Sequence, residues 1–209
     1  MYDEVFLPDV YGELRSTSME WERMQLIYDA ALREVNTKLE TLNNEFKIKH
    51  QYNPIEHMTS RIKSPESIAK KMQHNNRELT VENIVRYIND VAGIRVICSY
   101  IDDIYLIADA LLRQDDITLI AKKDYIEHPK PNGYRSYHMI LRTKAGYFAE
   151  IQLRTISMDT WAALEHHLKY KKSVGSRAAL IEEELKRCAD ELASTDLSMQ
   201  TIRDMILEA

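Results

Sequence analysis

Apolar residues recur every three or four positions at both ends of this chain and every second position in between, and that change of period limits what it can fold into. From about Thr17 to His50, Trp21, Met24, Tyr28, Ala31, Val35, Leu39, Leu42 and Phe46 mark one side of a single long amphipathic helix. After the stop signal of Gly175, Ile181, Leu185, Cys188, Leu192, Met199, Ile202 and Ile206 mark a second. Helices of this length pack on their own domain or on another subunit, and sequence leaves both open. The middle alternates strands with short helices. The expected class is therefore α/β, with a mixed β-sheet of about five strands flanked by helices. The expected organisation is a helical segment over 1–50, a central domain over 51–172 and a C-terminal helix over 173–209.

Local signals set the central elements. A strand from about Glu56 to Lys63 runs into Ser64, Pro65 and Glu66, which supply an N-cap, a proline at the first helical position and an acid in the first turn of a helix ending near Asn75. A short helix follows from Thr80, and DVAGIRVICSY reads as a β-branched strand. Asp102 and Asp103 open a helix to Gln114, and strands are expected near 117–123, 134–143 and 146–154. A helix from Ser157 to Lys172 carries Trp161, Leu164 and Leu168 on one side and ends in Lys169, Lys171 and Lys172, where cations suit the macrodipole.

Composition narrows the function classes. At 209 residues, 44% hydrophobic and 29% charged, the chain can bury a good core and reads as soluble. Its net charge of −5 argues against a general nucleic-acid coat but permits a local basic patch. No apolar run approaches the roughly 18 residues of a membrane span, and the start has no basic segment followed by an apolar one, so no membrane and a cytoplasmic location are expected. Cys98 and Cys188 belong to no paired metal or redox motif and are expected to be reduced thiols.

Several polar groupings could carry chemistry. In HPKPNGYRSYH, residues 128–138, Pro129, Pro131 and Gly133 stop any helix, and the following residues suit a strand with Tyr134, Ser136 and His138 on one face. That face could hold a ligand or be a plain aromatic hairpin edge. In YFAEIQLRT, Phe148, Glu150, Gln152 and Arg154 share a face that is either solvated or the floor of a polar cleft. Asp90 precedes the strand at Val91, so Asp90 and Glu150 on neighbouring strands could share one hard cation such as Mg2+. In TSRIKSPESIAKK, Thr59, Arg61 and Lys63 share a strand face beside a helix N-terminus, with Ser67 and Lys71 one turn apart on that helix, an arrangement that is either suited to phosphate or a plain solvated basic helix. Arg95 places a charge inside an apolar strand, which is costly unless it is paired or liganded. The adjacent His166 and His167 point in different directions on a helix and make no metal site. There is no glycine-rich phosphate loop and no G-x-S-x-G elbow.

Taken in order, SRIKSPESIAKKM, DVAGIRVICSY, KPNGYRSYH, EIQLRT and WAALEHHLKYKK resemble the synthetase domain of the RelA/SpoT homologue family, over about Asn53 to Lys172. The chain as a whole is similar to the small, single-domain alarmone synthetases. The resemblance implies a nucleotidyltransferase-like synthetase fold, and transfer of the β,γ-pyrophosphate of ATP to the ribose 3′-hydroxyl of GDP or GTP. No His-Asp dipeptide occurs, so synthesis without the metal-dependent hydrolase half is expected. Carried over by position, Arg61, Lys63, Ser67 and Lys71 would hold the ATP phosphates, and Arg95 would lie by the adenine. Asp90 and Glu150 would hold Mg2+, with Glu150 also placed to take the 3′-hydroxyl proton. Tyr134 would stack on guanine, Lys130 and Lys123 would face the acceptor's 5′ phosphates, and His138, Gln152 and Arg154 would shape the cleft. Homotetramer assembly is implied; RNA binding is not indicated. Transfer to a tRNA 3′ end, and a nucleotide- or RNA-binding module without turnover, are the competing readings. Product-activated members carry lysines and an aromatic where this chain has Asn36, Glu40 and His57, with Asp159 near the same place, so product activation is not expected.

Overall fold

The computed structural model describes residues 7–50, 52–144, 146–170 and 177–208, without the side chains of 7–18, 50, 169 and 170. Helix α1 spans Leu7–His50 and is followed by strand β1, Ile55–Ile62, then α2, Pro65–His74, and α3, Val81–Tyr87. Strand β2, Ala92–Cys98, leads to α4, Ile101–Leu112, and to the strands β3, Ile117–Asp124, β4, Tyr137–Thr143, and β5, Phe148–Thr155. Two helices close the chain: α5, Ile156–Tyr170, and α6, Ala178–Leu207. The sheet is mixed and five-stranded, in the order β1-β2-β5-β4-β3. β2 and β5 run parallel at its centre, and the other neighbours are antiparallel.

One face of the sheet carries the core. Met24, Tyr28, Leu32, Val35 and Leu39 of α1 pack with Ile104, Ile107 and Leu111 of α4 over Ile94, Val96, Met139, Leu141, Ala149, Ile151 and Leu153 of the strands. The stripe expected on the first helix is thus the buried one, with Trp21, Leu42 and Phe46 packed at its margins. Each such side chain contributes about 1.5 to 3 kcal/mol by leaving water. Helix α1 begins ten residues before the Thr17 read from its pattern; Pro8 lies in its first turn, where a missing N–H costs nothing. The second helix departs from its pattern. Its packed side is Ile181, Leu185, Ala189, Leu192, Asp196, Gln200 and Arg203, while Cys188, Met199, Ile202 and Ile206 are exposed. Polar anchors explain the difference: Thr155 Oγ1 donates to Asp196 Oδ2 at 2.6 Å, and Arg203 pairs with Asp102 at 2.5 Å.

Ser64 caps α2 as expected, its hydroxyl accepting from the Ser67 N–H at 3.3 Å, and Thr80 caps α3 in the same way. Strand β4 starts at Tyr137, three residues later than expected. Tyr134 therefore sits in the loop before it. The cause is the turn: Asn132 Oδ1 accepts from the Tyr134 N–H, and Gly133, at φ 91°, bonds back to Lys130. The basic helix end expected at Lys169, Lys171 and Lys172, the stop at Gly175 and the divisions at 50/51 and 172/173 fall outside the described residues or their described side chains. Among the described residues no helix is long and apolar enough to cross a membrane.

Candidate active site

Opposite the core, the strand register lines up polar side chains in rows across the sheet. One row runs Arg61, Gly93, Glu150, Ile140, Ala121; the next runs Thr59, Arg95, Gln152, His138, Lys123. Two register shifts make these rows possible, one between Ile55 and His57 in β1 and one between Leu119 and Ala121 in β3. Counted on without them, Arg61 would oppose Ala92 and Lys123 would oppose Tyr137, both on the core face. A bulge inverts the face of every later residue in its strand. Each edge strand thus turns one cation toward the same polar surface, which is a cleft floor and not a solvated face.

The floor carries two adjoining clefts. The first, about 160 Å³, is lined by Arg61, Lys63, Gly93 and Arg95 together with Asp90 and Glu150. A second, about 400 Å³, is lined by Lys71, Lys123, Tyr125, Lys130 and His138, again with Asp90 and Glu150. The two carboxylates are the residues that the clefts share. Gly93 keeps the first floor flat, since a Cβ there would meet only the Arg61 carbonyl, at 3.8 Å, and would otherwise fill the cleft.

Asp90 is gripped by two cations, Lys63 Nζ at 2.5 Å and Lys71 Nζ at 2.9 Å. Burial pushes its carboxyl up, but the hydrogen bonds and charges of the two ammonium groups outweigh burial and hold it below the usual range. Both lysines use Oδ2. Oδ1 is buried and has no hydrogen-bond partner, an unsatisfied acceptor on a residue that both clefts share. Glu150 is ionised for related reasons: burial raises its carboxyl, and hydrogen bonds from His138 and Gln152 outweigh that. Among the described residues no three His, Cys, Asp or Glu side chains gather to form a complete metal cage. An orphaned carboxylate oxygen beside a second carboxylate fits Mg2+, which takes one or two protein carboxylates and completes its shell with phosphate oxygens and water.

A closed circuit of hydrogen bonds holds Glu150. Gln152 Nε2 donates to Glu150 Oε2 at 2.9 Å, and Arg154 Nη2 donates to Gln152 Oε1 at 3.0 Å and to the Tyr134 hydroxyl at 2.7 Å. That hydroxyl lies 2.8 Å from His138 Nε2, and His138 Nδ1 lies 3.4 Å from Glu150 Oε1. The Tyr134 hydroxyl already accepts from Arg154, so its own proton is available to Nε2; the neutral tautomer that accepts it would carry the imidazole proton on Nδ1, toward Glu150. Arg154 Nη1 is anchored in turn by Asp159 Oδ1 at 2.9 Å.

The candidates named from sequence are mostly brought together. Arg61, Lys63, Asp90, Arg95 and Glu150 meet in the first cleft, and Lys71, Lys123, Lys130 and His138 in the second. Lys71 approaches Asp90 from the second side. Ser67 is exposed, accepts a hydrogen bond from Ser64 and lines neither cleft. Tyr134 stands behind the second cleft with its ring edge-on to Tyr125 and Trp161, and the Lys130 ammonium lies 4.8 Å from its centroid. Tyr125, which sequence reasoning missed, holds the same ammonium at 4.5 Å. It follows Lys123 by two residues, directly after the end of β3, the signal that could have found it. Gly133 is fixed by its positive φ and by helix α6, for a Cβ there would come within 2.7 Å of the Ala189 Cβ.

Comparison with known proteins adds relatives to this geometry. A family model described as a region found in RelA / SpoT proteins matches residues 60–175. The GTP pyrophosphokinase YwaC of Bacillus subtilis is 41% identical over 185 residues, covering 85% of this chain and 88% of that protein. Small alarmone synthetase 1 from Bacillus subtilis, solved bound to its product pppGpp, superposes with a TM-score of 0.78 at 33% identity, covering 89% of this chain and 97% of that one. Small alarmone synthetase 2 from the same organism gives 0.78 at 37% identity, covering 89% and 99%.

Proposed function

The chain belongs to the RelA/SpoT family, and from that premise we infer that it is a GTP pyrophosphokinase: it moves the β,γ-pyrophosphate of ATP to the ribose 3′-hydroxyl of GDP or GTP, giving AMP and ppGpp or pppGpp. The observation that carries the reading is the junction of two cation-lined clefts at Asp90 and Glu150. A transfer between two nucleotides needs two sites that meet at the migrating group, with charge neutralisation there and little covalent work.

The residues divide accordingly. Arg95 lies by the adenine, and Arg61 and Lys63 hold ATP phosphates in the first cleft. From α2, Lys71 reaches the migrating pyrophosphoryl group from the other side of Asp90, and Ser67, outside both clefts at the start of that helix, would meet only a phosphate that extends beyond the first cleft. Lys123 and Lys130 face the acceptor's 5′ phosphates, Tyr134 offers its ring to guanine, and His138, Gln152 and Arg154 keep Glu150 aimed at the 3′-hydroxyl. Asp90 Oδ1 and Glu150 would hold Mg2+, which when bound neutralises phosphate charge and polarises the bridging oxygens. Because Glu150 is held below the ordinary carboxylate range, it is a weak base. Its proton-accepting role rests on the transition state, where the attacking hydroxyl becomes more acidic.

The catalytic core is taken as 51–172. Assembly into a homotetramer is proposed with it, and is supported by the exposed Met199, Ile202, Met205 and Ile206 on α6. Size-exclusion chromatography with light scattering tests that assembly, and a monomer at micromolar concentration would contradict it.

Incubation with Mg2+, γ-labelled ATP and either GDP, GTP or deacylated tRNA tests the function. Label is expected in ppGpp or pppGpp, with AMP released in equal amount. Label in tRNA alone would favour the tRNA pyrophosphokinase reading, and nucleotide binding without transfer would favour a non-catalytic module.

A further inference from the structure

Asp159 stands in the first turn of α5, where the family resemblance placed a substituted regulatory position, yet its carboxylate turns to two arginines of the sheet. Oδ1 lies 2.9 Å from Arg154 Nη1 and 3.3 Å from Arg95 Nη1. The two guanidiniums come from adjacent parallel strands: Arg95 pairs in register with Gln152, and Arg154 is two residues further along the same face. Like charges so placed repel. Burial and the charge of Arg154 pull the Arg95 guanidinium below its usual range, and Asp159 opposes them. Arg154 is 4% exposed, and Arg95 leaves its Nε buried and unpaired. The two arginines also serve different clefts. Arg95 lines the first, and Arg154 holds Tyr134 and Gln152 in the circuit that aims Glu150 and backs the second.

We propose that Asp159 is a positioning residue that holds Arg95 and Arg154 together, so that one carboxylate sets the geometry of both nucleotide sites. It touches neither nucleotide. With it absent, Arg95 is free to swing off the first cleft, and Arg154 loses its only carboxylate partner among the described contacts, which loosens the Tyr134 hydroxyl and Gln152 together. The proposal rests on the function given above.

The test is steady-state kinetics of label transfer on wild type, Asp159→Asn, Asp159→Glu and Arg95→Gln, varying ATP and GDP separately, with melting temperatures measured alongside. Asp159→Asn keeps the shape and one hydrogen bond but not the charge. It is expected to raise KM for ATP and KM for GDP together, each by roughly tenfold or more. Arg95→Gln is expected to raise KM for ATP alone. Asp159→Glu, which keeps the charge, is expected to recover both constants to within about threefold of wild type; it also stands in should the Asn variant fold poorly, and both constants must then be restored by Glu and lost in Asp159→Ser. Unchanged KM values with only a lowered melting temperature would reduce Asp159 to a structural ion pair and overturn the proposal. A rise confined to ATP would overturn it too, since Asp159 would then serve Arg95 alone. A wild-type protein that labels neither GDP nor GTP would instead overturn the function itself, and the proposal with it.

Discussion

The proposed donor cleft is held by ion pairs on strands and a helix, whereas the proposed acceptor cleft is held by a loop, a ring of aromatics and a circuit of neutral and charged hydrogen bonds. Where the two meet, Lys63, just past the end of β1 in the first cleft, and Lys71 of α2, in the second, clamp one oxygen of Asp90. In the second, Lys130 rests on Tyr125 and Tyr134, and Tyr134 is tied by its hydroxyl to Arg154 and His138. Changes on the donor side should therefore act through charge, and changes on the acceptor side through the shape of a loop. Glu150 belongs to both.

The largest effect is expected where the clefts meet. Glu150→Gln removes a candidate metal ligand and the candidate base, and should lower transfer by about a thousandfold or more, while the melting temperature stays near wild type. Near-normal turnover would take Glu150 out of the mechanism. Next is Lys71→Ala, which removes one of two cations from Asp90 and, in the proposed reaction, a charged contact from the migrating group. Initial rates should fall, and the ATP requirement should rise, by roughly 10- to 150-fold in combination, with KM for GDP nearly unchanged. An equal rise for GDP would move Lys71 to the acceptor side.

Tyr134 separates ring from hydroxyl. Base stacking on an aromatic is worth about 1 to 3 kcal/mol, so Tyr134→Ala should weaken acceptor use by roughly 5- to 150-fold and barely change ATP affinity. Phenylalanine keeps the ring but loses the bridge between Arg154 and His138, so Tyr134→Phe should recover part of that loss and remain about 2- to 12-fold below wild type. Full recovery would show that the hydroxyl bridge does nothing for turnover.

The smallest effect is on pH dependence. The folded Glu150 carboxyl is depressed, so its ionised form is full above the ordinary carboxylate range and is lost as pH falls through the depressed value. The acid limb of the rate profile should therefore lie below the range of an ordinary glutamate carboxyl. Gln152→Leu deletes one of the hydrogen bonds that lower Glu150, and should move that limb toward higher pH. A limb that stays in place would mean that Gln152 does not act on Glu150.

Local chemistry made the donor side readable from the residues. The 3.6-residue period of α1, the Ser64-Pro65 start of α2 and the alternation through Glu150 and Gln152 are short-range signals, and the described elements follow them. Tertiary pairing made the rest unreadable. A single bulged residue in β1 or β3 leaves no mark in the period of so short a strand, yet it decides that Arg61 and Lys123 face the cleft. Tyr134 looked like strand because the turn before it is completed by the Asn132 side chain and by Gly133 against Ala189, contacts that pattern alone does not contain. Asp159 and the inner side of α6 share that reason. Their packing is decided by polar partners on other elements: Arg154 for Asp159, Thr155 for Asp196 and Asp102 for Arg203.

In the proposed reaction the two clefts, which share their carboxylates, hold both nucleotides at once, so the pyrophosphoryl group should pass directly between them. The direct measurement is the initial rate of label transfer over a grid of ATP and GDP concentrations, with a control in which γ-labelled ATP meets the protein alone. Intersecting double-reciprocal lines, and no label on the protein in the control, are the predicted result. Parallel lines with label held covalently by the protein would mean that the group stops on a side chain between substrates, and would contradict a reaction centred on the shared Asp90 and Glu150.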